Sequence, residues 1–204
     1  MRPRDGYPGG HNPHGCEFPH LRQALLRVVA VNGAALQLEQ PAGIAFSAGS
    51  SKAWQVNALT DVVLAGFTIE QRNGERRIAD VAHRYDNLAP EVGVDGLALN
   101  WTAGALVEDV AVINAGRNPV SFENSLAFVL RSCTLDGAWN KGDGGSGYLR
   151  IARGYRGEVK DYQVRNIRHI ALQWSSAFNH IHDVVTEVDV NFHGAIRITT
   201  RWRG

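Results

Sequence analysis

The chain has 204 residues, enough for one domain with a sizeable core, and it is close to neutral, with 21 Lys and Arg against 20 Asp and Glu. That balance gives no reason to expect nucleic acid or another polyanion as partner, and no apolar run approaches the roughly 18 residues of a membrane span. Two cysteines, Cys16 and Cys133, are too few for a disulfide framework.

Residues 1–24 are rich in Gly, Pro and His and show no periodicity, so they read as a loop or arm. His11, His14, Cys16 and His20 are metal donors by type, but their spacing matches no standard zinc pattern. Met1-Arg2-Pro3-Arg4 is not followed by the apolar core of a signal peptide. Val28–Val31, then Asn32-Gly33, then Ala34–Leu38 predicts a β-hairpin on a two-residue Asn-Gly turn. The expected division is an arm and hairpin over 1–53 and a repeating unit over 54–204.

The repeat dominates the rest of the chain. A first segment, apolar at alternate positions, reads Leu97-Ala98-Leu99, Val120-Ser121-Phe122, Leu149-Arg150-Ile151, Ile170-Ala171-Leu172 and Ile196-Arg197-Ile198, with steps of 23, 29, 21 and 26 residues. A second segment centres on Val107/Val110/Val112, Leu130/Cys133/Leu135, Val159/Tyr162/Val164 and Ile181/Val184/Thr186, with steps of 23, 29 and 22. Two columns that share one irregular step indicate stacked repeats, and apolar residues at i and i+2 indicate strands. To bury the same columns, successive copies lie side by side in parallel. Leu64/Phe67/Ile69 fits the second column as an earlier turn, 43 residues before Val107. Between them 72–91 carries eight formal charges and reads as a solvated excursion or a degenerate turn. Cys133 occupies a core column and is expected to be a buried free thiol. Lys141–Gly147, in the longest step, reads as a flexible loop bordering a groove.

Segments such as Ala105–Asn114 and Ser125–Leu135 resemble the rungs of the right-handed parallel β-helix superfamily, which includes pectate lyases, polygalacturonase-like hydrolases, epimerases and phage tailspikes. The resemblance covers roughly residues 54–200. It implies an all-β fold, a right-handed single-stranded parallel β-helix of about five to six rungs, preceded by the arm and hairpin. It also implies a carbohydrate-active protein, lyase, hydrolase or epimerase, holding an extended polysaccharide along a groove, in a secreted or periplasmic setting. The alternatives are a non-catalytic β-helix for glycan binding or adhesion, or an inactive piece of a larger β-helix protein. The polygalacturonase motifs are not present in order; Phe192-His193-Gly194 and Ile196-Arg197-Ile198 echo the last two. The aspartate motifs with which pectate lyases bind calcium are absent. A new turn begins at Ile196 just before the sequence stops, so the reading is a fragment or self-association through an uncapped terminal rung that pairs with another chain, with blunting of the edge by the arginines there as the alternative.

Alternation places Glu123, Tyr148, Arg150, His169, Gln173 and Arg197 on one outward strip. Arg150 and Arg197 suit carboxylate recognition, and Glu123, His169 and Tyr148 suit proton transfer next to a uronate carboxylate. Trp101 and Trp174, each four residues after a first-segment start, offer faces for sugar rings or for packing. A second concentration of titratable groups lies in 179–193. There Asp183, Asp189 and His193 are candidate acid/base residues, and Asp183 could pair with Asp189 or with Asp161 as hydrolase carboxylates. In the same stretch His180 and His182 share one side of a strand, as ligands to a divalent metal such as zinc or calcium would.

Overall fold

A computed structural model describes residues 23–49, 51–73, 85–142, 146–193 and 201–203; for His193 and Arg201–Arg203 the backbone alone is described. The hairpin forms from β1 (Val28–Asn32) and β2 (Ala35–Leu38), paired antiparallel. Its turn falls one residue later than the sequence predicts. Asn32 pairs with Ala35, and Gly33 opens the loop at φ 61°. A positive φ at the first central residue alone is the type II′ pattern, which asks for Gly first rather than Asn-Gly.

Beyond the hairpin the protein is all-β, with no α-helix among the described residues and a single 3-10 turn at Pro90–Val92. Two sheets take every other strand, and every pairing within them is parallel. The first sheet contains β3 (Leu59–Thr60), β5 (Leu97–Asn100), β6 (Thr102–Ala103), β8 (Val120–Leu126), β11 (Tyr148–Tyr155), β13 (His169–Gln173) and β15 (Val190–His193). The second contains β4 (Val63–Glu70), β7 (Leu106–Ala115), β9 (Val129–Arg131), β10 (Thr134–Ala138), β12 (Glu158–Arg165), β14 (His180–Thr186) and β16 (Arg201–Arg203). The chain passes from first sheet to second and back, and each pass pairs with the one before it.

The registers are those of the apolar columns. Leu64, Val107, Leu130, Val159 and Ile181 pair in series, and Ile69, Val112, Leu135, Val164 and Thr186 form a second series. The 43-residue interval is one lengthened pass, because β4 pairs directly with β7. In the first sheet Leu97, Val120, Leu149 and Ile170 align as expected. The next partner is Val190-Asn191-Phe192, not Ile196-Arg197-Ile198. Both triplets alternate equally well, and the one reached first in the chain takes the place. Arg197 therefore loses its assigned position to Asn191, and it lies outside the described residues.

Within each pass the alternation is reset by a residue in the left-handed region. Gly66, Asp109, Ser132, Asp161 and Asp183 form one such column, between the first two apolar residues of the second segment, with φ of 71°, 52°, 54°, 50° and 52°. A strand without this bend would turn Val110, Cys133, Tyr162 and Val184 outward; with it they face the core with Val107 and its equivalents. Gly enters the left-handed region freely, and Asp and Ser at the other positions keep the cost below that of a β-branched residue. A second column follows the first sheet: Trp101, Asn124, Arg153 and Trp174, with φ of 56°, 49°, 51° and 60°. Nothing in the types Trp and Arg announces such a backbone.

The core between the sheets is continuous from Leu99 to Ile181, with Phe122 and Phe128 stacked within it, ring centroids 4.2 Å apart. Cys133 is buried and free, as expected. At the corners, buried hydroxyls take up backbone groups that the bends release. The Thr102 hydroxyl donates to Ser125, Ser125 to the Glu123 carbonyl, and the single Ser176 proton is shared between the carbonyls of Ile151 and Gln173.

Two expected excursions are anchored at described points, although Tyr85–Asn87, Pro90 and Glu91 are exposed as a solvated segment requires. Of 72–91, residues 74–84 lie outside the described residues, but Ala89 is fully buried against Trp139, with Leu88 and Val92 beside it. Asn140 holds this strap: its Oδ1 accepts from Ala89 N, and its Nδ2 donates to the carbonyls of Ala89 and Gly116. In Lys141–Gly147 the described ends Lys141, Gly142 and Ser146 are buried, and 143–145 lie outside the described residues. Lys141 donates to the Asn166 carbonyl at 3.2 Å, and burial pushes its pKa down from 10.5 to about 8. Between these values the unfolded chain binds a proton that the folded chain does not, so stability rises with pH from about 8. The rise is measurable by denaturant unfolding between about pH 8 and 9, below the range in which the buried Cys133 thiol, whose pKa burial raises, begins to oppose it. It disappears in Lys141→Met; a slope unchanged by that substitution would assign it elsewhere.

Candidate functional site

The outward residues of the first sheet sort into two groups rather than one strip. In the first, strand register brings Ser121, Glu123, Arg150 and Gln173 onto neighbouring strands. Arg150 donates to Glu123 at 2.9 Å and Ser121 at 3.2 Å through Nη1, and to Gln173 at 3.0 Å through Nε. Arg153 donates to the other Glu123 oxygen at 2.8 Å, and its guanidinium lies 5.5 Å from the Trp174 ring centroid. Two cations on one carboxylate leave a surplus of one positive charge, half-buried, over a floor of small residues (Ala152, Ala171) that carry the long side chains. Arg150 Nη2 stays outside these bonds and is available to an anion. Trp101, 43% exposed, occupies the same backbone column as Arg153 and Trp174. Asn124, next in that column, donates to Asn100 at 3.0 Å.

The second group is Tyr148, His169 and Asp189. His169 Nδ1 bonds Asp189 Oδ1, and the rings of Tyr148 and His169 stack with centroids 5.7 Å apart. Tyr85 of the strap lies 5.8 Å from His169, with Arg168 over its ring. Tyr148 is buried, which raises its phenol pKa, with Arg168 pulling the other way. Glu123 and His169 do not meet. They are two strands apart and four residues along the strand direction, a displacement of about 13 Å at about 3.3 Å per residue.

The third group lies on the second sheet. His180 and His182 of β14 sit beside Glu158 and Lys160 of β12. The imidazoles stack 4.2 Å apart, His182 Nε2 lies 3.3 Å from Glu158 Oε1, and His182 Nδ1 bonds Asp183 at 2.6 Å. Asp183 raises the His182 pKa, with a smaller contribution from Glu158. Lys160, 2.9 Å from Glu158 Oε2, holds the Glu158 carboxyl below the usual range. Asp183 lies in β14 of the second sheet and Asp189 just before β15 of the first, and they serve different histidines. Asp161 is in register with Asp183, both in the left-handed column. The His193 side chain lies outside the described residues, as do His11, His14, Cys16 and His20.

Sequence reasoning passed over Arg153 and Glu158. Both were within reach of it: Arg153 falls four residues after Leu149, as Trp174 falls four after Ile170, and the 22-residue step that aligns Val159 with Ile181 aligns Glu158 with His180.

No family model matches this chain, and searches of curated proteins and of solved structures find no similar protein.

Proposed function

We propose that the chain is a right-handed parallel β-helix whose first-sheet face binds an extended, carboxylate-bearing polysaccharide. Support for the fold comes from the alternating passes and their unbroken parallel registers, together with the resemblance of the rungs to the β-helix superfamily. The observation that carries the binding reading is the Arg150–Glu123–Arg153 group flanked by Trp101 and Trp174. The two tryptophans stand three strand spacings apart, about 14 Å at about 4.8 Å per strand, the length of a few sugar rings. Arginine forks for carboxylates and aromatic faces for rings are the groups such a ligand requires.

Binding is favoured over turnover at this group because its one carboxylate is held by two arginines and has no acid/base partner. A second reading, elimination, rests on the His169–Asp189 pair beside Tyr148, a base oriented by a carboxylate next to a phenol. Polyuronates and neutral glucans, tested for retention and for both unsaturated products and new reducing ends, separate these readings. The expected result is retention of polyuronates without either product, weakened about tenfold by Trp174→Ala and further when Trp101→Ala is added. Unsaturated product lost in His169→Ala would establish the second reading. Equal retention of neutral and acidic chains would remove the role given to the arginines.

A further inference from the structure

Glu158, His180 and His182 each offer one ligand atom, and the three atoms lie within 4.8 Å of one another on half-buried side chains. We propose that they bind a divalent transition metal of the zinc class, with a fourth position open to solvent, at a site independent of the glycan face on the other sheet.

Several observations point to a cation rather than to a polar corner. His182 faces a carboxylate through each nitrogen, Asp183 at Nδ1 and Glu158 at Nε2. A neutral imidazole carries one proton and can donate to only one of them. With Nδ1–H given to Asp183, the Nε2 lone pair and a Glu158 oxygen face each other across 3.3 Å and need positive charge between them. Zinc bonds of about 2.05 Å to both atoms across that distance would enclose an angle of about 107°, close to tetrahedral. A proton alone could fill that gap, but it would not account for His180. The His180 Nε2 is buried and makes no hydrogen bond among the described residues, a cost of roughly 1–3 kcal/mol for an unsatisfied polar group. Ligating the ion through that nitrogen would remove it.

The surroundings fit as well. A carboxylate on the outer nitrogen of a ligating histidine fixes its tautomer and orientation, and Asp183 occupies that place. Asp183 is held there by the left-handed backbone of its column, φ 52°. Lys160 engages Glu158 Oε2, leaving Oε1 toward His182. Two imidazoles and one carboxylate favour zinc over calcium, which takes six to eight oxygen ligands. Bringing the three atoms, up to 4.8 Å apart, onto a tetrahedral ion takes side-chain shifts of about an ångström and a rotation of the stacked His180 and His182 rings that lets both lone pairs converge.

The test uses the full chain, untagged, with His11→Ala, His14→Ala, Cys16→Ser and His20→Ala to remove the donors of the N-terminal segment. Zinc content after dialysis and zinc titration calorimetry are the readouts, with the absorption of the cobalt form reporting coordination number. The expected result is one zinc per chain, four-coordinate cobalt bands, and loss of stoichiometric metal in His180→Ala and His182→Ala. Asp183→Asn should weaken binding about 10–100-fold, as orienting carboxylates do, and His169→Ala should leave it unchanged. Glu158→Gln keeps the shape of the site, so loss of metal there with an unchanged circular dichroism spectrum counts even where a histidine variant fails to fold. No zinc binding, or zinc content indifferent to Glu158, His180 and His182, would overturn the proposal.

Discussion

Phe128→Ala should lower the unfolding free energy by about 3–5 kcal/mol, the range for truncating a fully buried aromatic. Phe128 is 0% exposed and stacks on Phe122 at an interplanar angle of 17°. It precedes β9, on the turn that carries the chain from the first sheet to the second, so its ring closes the corner as well as filling the core. Neighbours confined by parallel ladders on both sides have little freedom to collapse into the space, which places the expected loss toward the upper end. Denaturant unfolding measures it, and a loss under about 1.5 kcal/mol would mean that the corner repacks. Phe128→Leu, which keeps most of the volume, should recover more than half of the difference.

The second large effect concerns the strap. Asn140→Ala should cost about 2–4 kcal/mol, because it leaves the Ala89 N–H and the Gly116 carbonyl without a partner and takes from the Ala89 carbonyl one of its two donors, Val92 N being the other. The loss has a location. The amides of Ala89 and Leu88, the latter bonded to the Trp139 carbonyl, should exchange hydrogen markedly faster than those of Val107 and Leu130 in the same sample. If Ala89 stays as protected as in the parent chain, Asn140 does not hold the strap. Asn140→Asp keeps the acceptor for Ala89 N but sets a buried carboxylate against two carbonyl oxygens, so it should cost at least as much as Asn140→Ala.

The strands and their registers were legible in the sequence because burial is columnar. Val107, Leu130, Val159 and Ile181 must be apolar for the same reason, and the shared long step ties both sheets to one count. The prediction failed where two triplets satisfied the same column. Val190-Asn191-Phe192 and Ile196-Arg197-Ile198 alternate alike, and only the pairing with Ile170-Ala171-Leu172 separates them. With the register went Arg197, and Asn191 stands where it had been placed.

The bends were legible in part. Gly66, Asp109, Ser132, Asp161 and Asp183 are residues that tolerate or favour a left-handed backbone, and their column is visible once the repeats are aligned. Trp101, Arg153 and Trp174 carry no such signal. Strict alternation was therefore extended past a point where the backbone resets it, and Arg153 was not placed beside Glu123. In the second sheet Glu158 escaped notice for a different reason. The preceding turn was read only for Asp161 and its neighbours opposite Asp183, whereas parallel stacking makes the nearest neighbour of His180 a residue 22 positions earlier, Glu158. In such an arrangement proximity in space is proximity modulo the repeat, and composition along the chain is a poor guide to it.

The way each pass pairs with the one before it also bears on how the chain reaches this state. The registers of the two sheets join residues 20 to 43 positions apart, as in Ile170 with Val190 and Leu64 with Val107, and each pass presents its backbone groups to the next as a template. Ordering can begin at any well-packed pass, such as that of Phe122 and Phe128, and propagate in both directions at a nearly constant entropic cost per added pass. A fault then arrests growth at its own position without undoing what precedes it. Synthesis from the N-terminus supplies passes in the order in which the template needs them, so the early passes can be complete while the later ones are still being made.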